Sequence, residues 1–385
     1  MSGTTQRAPQ VYIACGGTGG HFFPGVAVAR ELQREGAVVT LLISGKRIDQ
    51  QTANSQRDFP TRELPAVSWQ PRAPWRFVRG LLHSLRALRE IYRQHPPDAV
   101  LSMGGFTSAA PVLLGRALGA PVFIHESNTI PGRANRLLAP LADKVFVGFD
   151  CARHRFLHTT VETTGTPVRG AFSNLDKAAS CIRLGLDPHR PVLLIMGGSQ
   201  GARAINHLAL AAVPQWLRAH PSLQFLHLCG DGEDERVRGV YHSHHATAQV
   251  HAFYADMPAA LGAADVAVGR AGASSLAEIA AARLPALLVP LPTSADDHQR
   301  HNAREFAAQG AALVLEQTAN PSEVSAAVQR LLASPVPFRL ALGAMDAPQA
   351  ASRVAAQILS SIQQPSTADR QHAWKGRIPN CSMAA

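Results

Sequence analysis

The sequence predicts an α/β protein made of two doubly wound domains, each a parallel sheet flanked by helices. Apolar runs of strand length alternate with longer segments of helical period, and the whole alternation restarts near residue 191. The chain has 385 residues, 46% of them apolar and 17% charged, so it is too long for one ordinary core and too apolar to be disordered. Two domains of similar size are therefore expected.

The first half of this alternation begins near the N-terminus. Its strand-length runs are, in order, VYIACGG, VVTLLIS, AVLSMGG, PVFIHES and KVFVGF. The segment PGVAVARELQREG has the period of a helix, and Pro24 stands where a helix can begin, because proline is tolerated in the first turn. The first half is therefore predicted to form a parallel sheet whose first helix opens at Pro24.

The second half repeats this order from VLLIMGG onward. Helical ARAINHLALAAVPQWL, MPAALGAAD and SSLAEIAAARL alternate with the strand-like runs QFLHLCG, VAVGR and ALLVP. Between the halves, GTPVRGAFSNLDKAA is rich in turn formers and has no clear period, which indicates an interdomain connection beside a ligand cleft.

The predicted domains are 1–165 for the first, 166–340 for the second, a C-terminal helix at 341–362 and a disordered tail at 363–385. The C-terminal helix has one apolar face, so it must dock on a domain, and we expect it to return to the first. That face consists of Ala351, Val354, Ala355, Ile358, Leu359 and Ile362.

Charge and cysteine content limit the classes of partner. The net charge of +10 favours an anionic partner, which could be nucleic acid, phospholipid headgroups or a diphosphate substrate. Nucleic acid is not expected, because no zinc-finger spacing, RNP-type aromatic motif or long basic run accompanies the charge. The five cysteines are far apart and form no C-x-x-C pair, so neither a zinc site nor a disulfide framework is predicted. No apolar run of bilayer length and no signal-peptide pattern occurs, which predicts a cytoplasmic protein.

Glycine-rich turns connect a strand to a helix at equivalent places in the two halves. The first is GGTGGH at 16–21, the second is GGSQGA at 197–202, and MGGF at 103–106 follows another strand. Glycine allows a tight turn and close approach of a ligand, while the N–H groups of the next helix attract phosphate. One such turn is as often only a tight connection, but three in register indicate a ligand site. Neither main turn fits G-x-G-x-x-G or a P-loop, which disfavours dinucleotide and ATP binding.

Four motifs together resemble the MurG family of glycosyltransferases: GGTGGH, HESN at 125–128, GGSQGA and RAGASSLAE at 270–278. The resemblance covers about residues 11–362. It implies the GT-B fold, in which two Rossmann-like domains leave a cleft between them, with the acceptor in the first half and the UDP sugar held mainly by the second.

The activity implied by the resemblance is that of an inverting hexosyltransferase without a cofactor. It moves N-acetylglucosamine from UDP-N-acetylglucosamine to the 4-hydroxyl of the muramoyl sugar of undecaprenyl-diphospho-muramoyl-pentapeptide (lipid I). The product is lipid II, a precursor in peptidoglycan synthesis, so cell-wall and division proteins are further partners that the resemblance implies.

For the sugar nucleotide, the resemblance implies a site around RAGASSLAE. Glu278 would accept hydrogen bonds from the ribose diol, although an isolated helical glutamate is as often only a solvated charge. Arg169 and Ser199 would bind the diphosphate, and the backbone beside Tyr254 would read the uracil edge. The other implied donor-binding residues are Thr18, Gly19, Gly20, Asn128, Ala273, Ser274, Ser275, Leu276 and Ala277, together with His298, Gln299 and Asn302 as contacts of the donor sugar.

His21 is the candidate general base, because an imidazole can take the proton of the acceptor hydroxyl near neutral pH. A histidine at this place can instead be a structural hydrogen-bonding group, and Glu126 is then the second candidate for the base. The resemblance implies an acceptor pocket formed by Gly104, Gly105, Asn128 and Asn135. No catalytic role is assigned to Phe106, Ser127 and Thr166, which differ from the residues usual in the family.

No metal is expected, since no D-x-D motif accompanies the diphosphate site and the acidic run at 231–235 is interpreted as a solvated loop. Arg169 and helix N-termini would neutralise the leaving group instead. A UDP-N-acetylglucosamine 2-epimerase would use a similar donor site without a lipid acceptor. A NAD-dependent oxidoreductase would need the G-x-G-x-x-G turn and a later ribose-binding acid. A basic membrane-binding protein without catalysis would leave the donor motif unexplained.

The segment WQPRAPWRFVRGLLHSLRALRE mixes large apolar side chains with arginines, which suits an anionic membrane surface. An amphipathic helix packed on the core is the competing interpretation; it accounts for Leu85 and Leu88, but less well for two tryptophans in a proline-containing loop. Peripheral binding to the cytoplasmic side of the inner membrane is predicted. The residues concerned are Trp69, Trp75, Phe77, Val78, Leu81, Leu82 and Leu85, with Arg72, Arg76, Arg79, Arg86 and Arg89.

Overall fold

A computed structural model describes residues 7–17, 19–45, 50, 58–70, 72–157, 159–198 and 202–363. They form two compact units. Unit 1 consists of the described residues up to Ser127, of Pro131–Pro167 and of those from Gln349 onward, and unit 2 consists of Asn128–Ile130 and Val168–Pro348.

Unit 1 contains a seven-stranded sheet in which every pairing is parallel. Its strands are β1 (Gln10–Ala14), β2 (Val38–Ser44), β3 (Thr61–Leu64), β4 (Ala99–Ser102), β5 (Val122–Glu126), β6 (Lys144–Val147) and β7 (Val161–Thr163). The spatial order is β3-β2-β1-β4-β5-β6-β7, so the direction of winding reverses between β1 and β4. Loops that leave the carboxyl ends of these two strands form the crevice where such sheets bind ligands.

Unit 2 contains a six-stranded parallel sheet of the same kind. Its strands are β8 (Val192–Met196), β9 (Gln224–Leu228), β10 (Ala248–His251), β11 (Val266–Gly269), β12 (Ala286–Leu288) and β13 (Ala312–Val314). The order β10-β9-β8-β11-β12-β13 reverses between β8 and β11. The predicted α/β class with two doubly wound sheets is therefore confirmed.

Helices flank both sheets, as the alternation of patterns predicts. In chain order they are α1 (Gly19–Arg34), α2 (Pro74–Gln94), α3 (Ala109–Ala117), α4 (Arg133–Leu138), α5 (Lys177–Leu184), α6 (Ala202–Ala219), α7 (Asp234–Ser243), α8 (Met257–Ala263), α9 (Ala273–Ala281), α10 (His298–Ala308), α11 (Pro321–Ala333), α12 (Pro335–Met345) and α13 (Ala350–Gln363). Short 3₁₀ turns occupy Phe106–Ser108, Ala139–Leu141, Asp150–Arg155, Gly170–Phe172 and Ala295–Asp297. None of the helices in the described part of the chain is long and apolar enough to span a bilayer.

The sheet of unit 1 is covered on both faces, so successive residues of its strands enter different cores. Val11 and Ile13 pack with α1, whereas Tyr12 and Ala14 pack with α2 on the other face. This burial on both sides explains why the strands read as continuous apolar runs rather than as alternating ones.

The first helix begins earlier than the sequence predicts. It starts at Gly19, and Pro24 lies inside it, so the prediction that Pro24 opens the helix is wrong. Proline lacks an N–H group and cannot bond back to the carbonyl of Gly20, but the penalty is limited because the site is only one turn from the helix start. The helix can therefore begin directly at the glycine turn.

The C-terminal helix α13 docks through the predicted apolar face. Ala351, Val354, Ala355 and Ile358 are buried in the core that contains α1, with Leu359 and Ile362 packed against it. Two polar contacts fix the helix to the sheet edge: the Arg353 guanidinium lies 3.1 Å from a Glu162 carboxylate oxygen, and Lys144 Nζ donates to Gln357 Oε1 at 2.7 Å. The predicted tail beyond this helix lies outside the described residues.

Candidate active site

In unit 1, glycine turns surround the imidazole of His21. Gly17 follows β1 with φ of 111°, while Gly104 and Gly105 follow β4 with φ of 100° and 80°, conformations that residues with a Cβ rarely adopt. A Cβ on Gly104 would lie 3.4 Å from His21 Nε2, and one on Gly105 would lie 3.2 Å from His21 Nδ1. The predicted need for glycine is confirmed, and it gives the candidate base its place beside the carboxyl ends of β1 and β4.

The HESN motif supplies a buried carboxylate next to these turns. Glu126 Oε2 accepts from the N–H of Gly132 at 2.8 Å and from Asn135 Nδ2 at 2.9 Å. Asn135 is also buried, and its Oδ1 has no hydrogen-bond partner among the described residues. A Cβ on Gly104 would lie 3.4 Å from this Oδ1 and 3.4 Å from His21 Nε2, so the acceptor-pocket candidates Asn135 and Gly104 lie together, with Glu126 bonded to Asn135.

His125 is the first residue of the HESN motif, and the sequence alone predicts no role for it. Burial lowers the pKa of this imidazole, so it is neutral near pH 7. Its Nε2 lies 3.0 Å from the carbonyl oxygen of Gly165 and must donate, so its Nδ1 accepts the hydroxyl of Ser127 at 3.3 Å. His125 thus ties the end of β5 to the segment after β7, and Ser127 has a structural partner there.

In unit 2, α9 begins at Ala273, one residue before the predicted helical run SSLAEIAAARL, with Gly272 as its N-cap. The helix therefore presents the N–H groups of Ala273, Ser274 and Ser275 at its positive end, the arrangement that binds phosphate in many proteins. Leu276 is buried in the core, and Ala277 is partly exposed. Gly198, after β8, has φ of 69°, so this turn also requires glycine.

The candidate cation and the candidate ribose acid form a buried pair. Arg169 and Glu278 are 7% and 9% exposed, and the guanidinium lies 3.6 Å from Glu278 Oε1. The guanidinium also lies 5.2 Å from the ring centroid of Phe172, a cation–π distance. Burial raises the pKa of Glu278 to about 7, although the positive charge of Arg169 opposes the shift. A carboxyl group whose pKa is shifted this far by its surroundings is typical of a functional site.

Arg270 braces the loop before α9, a role that sequence reasoning did not find. Its NH1 donates to the carbonyls of Val289 and Pro290 at 3.0 and 3.2 Å, and its NH2 donates to Gln317 Oε1 at 2.8 Å. A buried guanidinium with these partners ties the ends of β11 and β12 together. The feature of the sequence that could have indicated this role is the position of Arg270 directly after a strand and before the glycine turn.

The helix α10 carries the three candidates for sugar contacts. His298 Nδ1 lies within bonding distance of the carbonyl of Ala295, and Gln299 Oε1 accepts from the N–H of Leu291 at 3.0 Å. Both side chains are partly exposed, whereas Asn302 is fully buried. Asp296 and Asp297, which precede α10, have φ of 50° and 54°, an uncommon backbone conformation for residues with a side chain.

The predicted uracil-reading segment joins β10 to α8. Asp256 is the N-cap of α8: its carboxylate accepts from the N–H of Ala259 at 3.3 Å and pairs with Arg183 at 2.7 Å. The ring of Tyr254 lies 5.0 Å from that of His251, which keeps the Tyr254 side chain against the end of the strand. Phe253 is 57% exposed, which excludes core packing as the reason for this residue.

The acidic run at 231–235 is predicted to be a solvated loop, but one of its carboxylates is largely buried and paired. The side chain of Glu233 is only 14% exposed and pairs with Arg236 at 2.6 Å and with Arg203 at 3.6 Å. Glu233 also precedes α7, whose first turn contains Asp234 and Glu235. Acidic residues there stabilise the helix dipole.

Two candidate donor-binding residues, Thr18 and Ser199, lie outside the described residues. Gly19 and Gly20 are the first two residues of α1 and directly precede His21. The other candidates divide between the units: the acceptor-side candidates belong to unit 1, except Asn128, which belongs to unit 2 with the remaining donor-side candidates.

Most of the basic aromatic segment forms helix α2, which begins at Pro74. Trp75 lies in the first turn of α2, so the expectation of two tryptophans in a loop holds only for Trp69. Leu88 is buried and Leu85 partly buried, as the amphipathic interpretation requires. Trp69 and Trp75 are 56% and 58% exposed, and the Arg76 guanidinium lies 5.4 Å from the Trp75 ring centroid.

Comparison with known proteins agrees with this geometry. Residues 11–147 match the glycosyltransferase family 28 N-terminal domain, and residues 192–357 match the glycosyltransferase family 28 C-terminal domain. A UDP-N-acetylglucosamine--N-acetylmuramyl-(pentapeptide) pyrophosphoryl-undecaprenol N-acetylglucosamine transferase of Acidithiobacillus ferrooxidans is 40% identical over 318 residues, or 80% of this chain and 85% of that protein. The chain belongs to the MurG family.

A solved MurG structure extends this relationship to the fold. The crystal structure of Acinetobacter baumannii MurG superposes with a TM-score of 0.70 at 27% identity, over 92% of this chain and 100% of that one. The GT-B class is therefore confirmed, and the family is one of glycosyltransferases. The UDP-GlcNAc 2-epimerase of Neisseria meningitidis, at 14% identity and a TM-score of 0.67 over 91% of this chain and 100% of that one, shares the fold alone.

Proposed function

We propose that this member of the MurG family transfers N-acetylglucosamine from UDP-N-acetylglucosamine to the 4-hydroxyl of the muramoyl sugar of lipid I, inverting the anomeric carbon. The observation that carries the proposal is the buried pair of Arg169 and Glu278 beside α9 in unit 2. A cation and the N-terminus of a helix suit a diphosphate, and a carboxylate suits the ribose diol of a nucleoside.

In the proposed donor complex, the ionised carboxylate of Glu278 accepts hydrogen bonds from the ribose diol. The N–H groups of Ala273, Ser274 and Ser275 donate to the diphosphate oxygens. Arg169 adds a permanent cation, whose attraction grows as the glycosidic bond breaks and negative charge collects on UDP. In this proposal, protein groups alone stabilise the leaving UDP, and no metal ion is needed.

On the acceptor side, His21 takes the proton of the attacking 4-hydroxyl as the new C–O bond forms. The hydrogen bonds that Glu126 accepts from Gly132 and Asn135 orient it to shape the pocket. The buried Oδ1 of Asn135 is placed to accept a hydrogen bond from the sugar or peptide of the acceptor.

The test is transfer of labelled N-acetylglucosamine from its UDP derivative to a lipid I analogue with a short, soluble prenyl chain. We expect label in the product only when both substrates are present, and loss of transfer with Glu278→Ala. Conversion of UDP-N-acetylglucosamine to its 2-epimer without any acceptor would establish the epimerase instead.

We further propose that α2 brings the enzyme to an anionic membrane, where the lipid acceptor resides. Exposed Trp75, Val78 and Leu82 share the surface of α2 with exposed Arg76 and Arg79. Apolar side chains of this kind enter the headgroup boundary, and each arginine near the surface contributes about 1 kcal/mol.

Flotation with vesicles tests this second proposal. The protein should float with anionic vesicles, detach in high salt and bind neutral vesicles weakly. Combining Trp75→Ala, Arg76→Ala and Arg79→Ala should abolish flotation and spare activity on the soluble acceptor. The matched control replaces Val336, Arg339 and Leu340 of α12, all exposed, with alanine. Normal flotation of the α2 variant would place the membrane face elsewhere.

A further inference from the structure

The side-chain amide of Asn302 connects three segments of unit 2. Asn302 lies on α10 and is 0% exposed. Its Oδ1 accepts from the N–H of Thr129 at 3.0 Å and from the Thr129 hydroxyl at 2.9 Å. Its Nδ2 donates to the carbonyl of Ala271 and to Asn128 Oδ1, both at 3.1 Å. The amide therefore uses two acceptor and two donor positions, which is its full hydrogen-bonding capacity.

The orientation of this amide follows from its backbone partners. The N–H of Thr129 can only donate, so it must face the oxygen of Asn302. The carbonyl of Ala271 can only accept, so it must face the nitrogen. An inverted amide would bring two donors together at one end and two acceptors together at the other, which is costly in a fully buried position.

The orientation of Asn302 in turn determines that of Asn128. Because Asn302 Nδ2 is a donor, the atom of Asn128 that meets it must be the acceptor Oδ1. The Nδ2 of Asn128 is then directed to the other side of its amide group. Asn302 thus determines which end of the Asn128 amide faces away from it: the end that carries the N–H donors.

We infer that Asn302 is a positioning residue, which acts on the sugar nucleotide through Asn128 and through the turn at Ala271 that leads into α9. This inference rests on the proposed function. It differs from the direct sugar contact that the resemblance implies for Asn302, because such a contact would break one of four buried hydrogen bonds. The same amide holds Asn128–Ile130 to unit 2, although their neighbours Ser127 and Pro131 belong to unit 1.

Asn302→Asp is the informative substitution, because it keeps the shape and the oxygen that Thr129 contacts. It replaces the donor with a carboxylate oxygen that faces the Ala271 carbonyl and Asn128 Oδ1. We expect Asn128 to invert its amide, and kcat/KM for UDP-N-acetylglucosamine to fall at least roughly tenfold. In an Asn128→Ala background, the same substitution should lower it less than about threefold, since the residue it acts through is gone.

Equal factors in the two backgrounds would overturn the inference and favour a direct contact of Asn302 with the substrate. Val328→Ala, which removes buried volume from the core of the same unit, is the control for loss of stability. It should lower the melting temperature without producing the coupling to Asn128. If Asn302→Asp fails to fold, Thr129→Val removes one donor to Asn302 and should show a smaller effect with the same dependence on Asn128.

A second readout does not depend on catalysis. Hydrogen–deuterium exchange of peptides that contain Asn128–Ile130 should accelerate in Asn302→Asp, because the new carboxylate oxygen repels the Ala271 carbonyl and Asn128 Oδ1 and so loosens this segment, and it should remain unchanged in Val328→Ala. Unchanged exchange in Asn302→Asp would overturn the positioning role even if activity falls. Absence of transfer activity in the wild-type protein would instead refute the proposed function. Hydrogen–deuterium exchange at Asn128–Ile130 would still test whether the Asn302 side chain holds this segment.

Discussion

Both units place a glycine turn between a parallel strand and a helix, yet different groups surround the two turns. In unit 1, the carboxylate of Glu126 is held by the N–H of Gly132 and the amide of Asn135, next to the imidazole of His21. In unit 2, the carboxylate of Glu278 lies 3.6 Å from the guanidinium of Arg169, in surroundings that raise its pKa to about 7.

The comparison shows how one fold supports two kinds of chemistry. Hydrogen bonds from neutral groups orient a carboxylate beside an imidazole, which suits proton transfer from an alcohol. A buried cation next to a carboxylate suits recognition of a diol and a diphosphate, because charges act strongly where water is excluded. Four predictions test whether this division of roles is correct, beginning with the largest effect.

The first prediction concerns the base of unit 1. His21→Ala should lower kcat by roughly 10²–10⁴-fold, the usual contribution of general base catalysis, and leave the KM for the UDP sugar nearly unchanged. The acidic limb of the pH–rate profile should disappear as well. Steady-state kinetics over pH 5–9 with a soluble lipid I analogue measures both.

His242→Ala, at an exposed position of α7, is the control for loss of a histidine and should behave like the wild type. If His21→Ala keeps the acidic limb and Glu126→Ala loses it, Glu126 is the base. The comparison would then be between two carboxylate sites rather than between an imidazole and a carboxylate.

The second prediction concerns the cation of unit 2. Arg169→Ala should reduce kcat/KM for the donor by about 100-fold, with kcat and KM both affected, because diphosphate charge grows in the transition state. Since the charge of Arg169 lowers the pKa of Glu278, its removal should also shift the pH dependence of donor binding upward. A variant with normal kcat would make Arg169 only the partner of Glu278.

The third prediction follows from the raised pKa of Glu278. Ribose binding requires the ionised carboxylate, so affinity for UDP-N-acetylglucosamine should rise roughly tenfold between pH 6 and pH 8, as a single group with a pKa of about 7 ionises. The diphosphate diester itself does not titrate in this range. Glu278→Ala should raise the donor KM roughly 10- to 150-fold, from loss of a charged hydrogen bond.

Glu278→Gln removes the titration and should give a donor affinity that is low and independent of pH. The folded-state pKa is raised, so the protonated acid is favoured in the folded protein, and stability falls as pH rises from 4.5 through about 7. In the wild type this loss amounts to at most about 3 kcal/mol, and in Glu278→Gln it should be absent. Chemical denaturation at pH 5 and pH 8 measures the difference.

The fourth and smallest effect compares the two glycine turns. Gly104→Ala would place a Cβ 3.1 Å from Asn135 Nδ2 at a φ of 100°, so it should disturb the acceptor site and lower activity. A Cβ on Gly198 would have no neighbour within 4 Å among the described residues, and φ there is 69°, so Gly198→Ala should lower stability by about 1 kcal/mol and have little other effect. Melting curves and transfer assays on both variants decide whether the first turn is the more tightly packed.

Much of the fold could be predicted from the pattern of the sequence, because buried parallel strands and amphipathic helices leave regular signatures. The apolar face of α13 was read residue by residue, since a helix of period 3.6 presents the same face wherever it docks. The start of α1 could not be read from Pro24, because the glycine turn decides where the helix begins and its first turns tolerate proline.

The positions of candidate site residues were predictable where a motif ties them to a strand end, as with His21, or to the helix after a glycine turn, as with Glu278. Residues whose roles depend on distant partners were not. The neutral state of His125 depends on burial and its tautomer on the carbonyl of Gly165, and the bracing by Arg270 depends on Val289 and Pro290. Local spacing can mark Arg270 as a candidate, but it does not identify any of these partners.

The sequence by itself determined the two sheets, the glycine turns and the types of group available to the sites, because periodicity and backbone conformation are local properties. Only the tertiary structure decided which groups meet: Arg169 with Glu278, Asn135 with Glu126, and Asn302 with Thr129 and Asn128. Hydrogen bonds and ion pairs act over about 3–4 Å between residues up to 174 positions apart in the chain, and burial then sets their strength. Only folding can bring such partners within that distance.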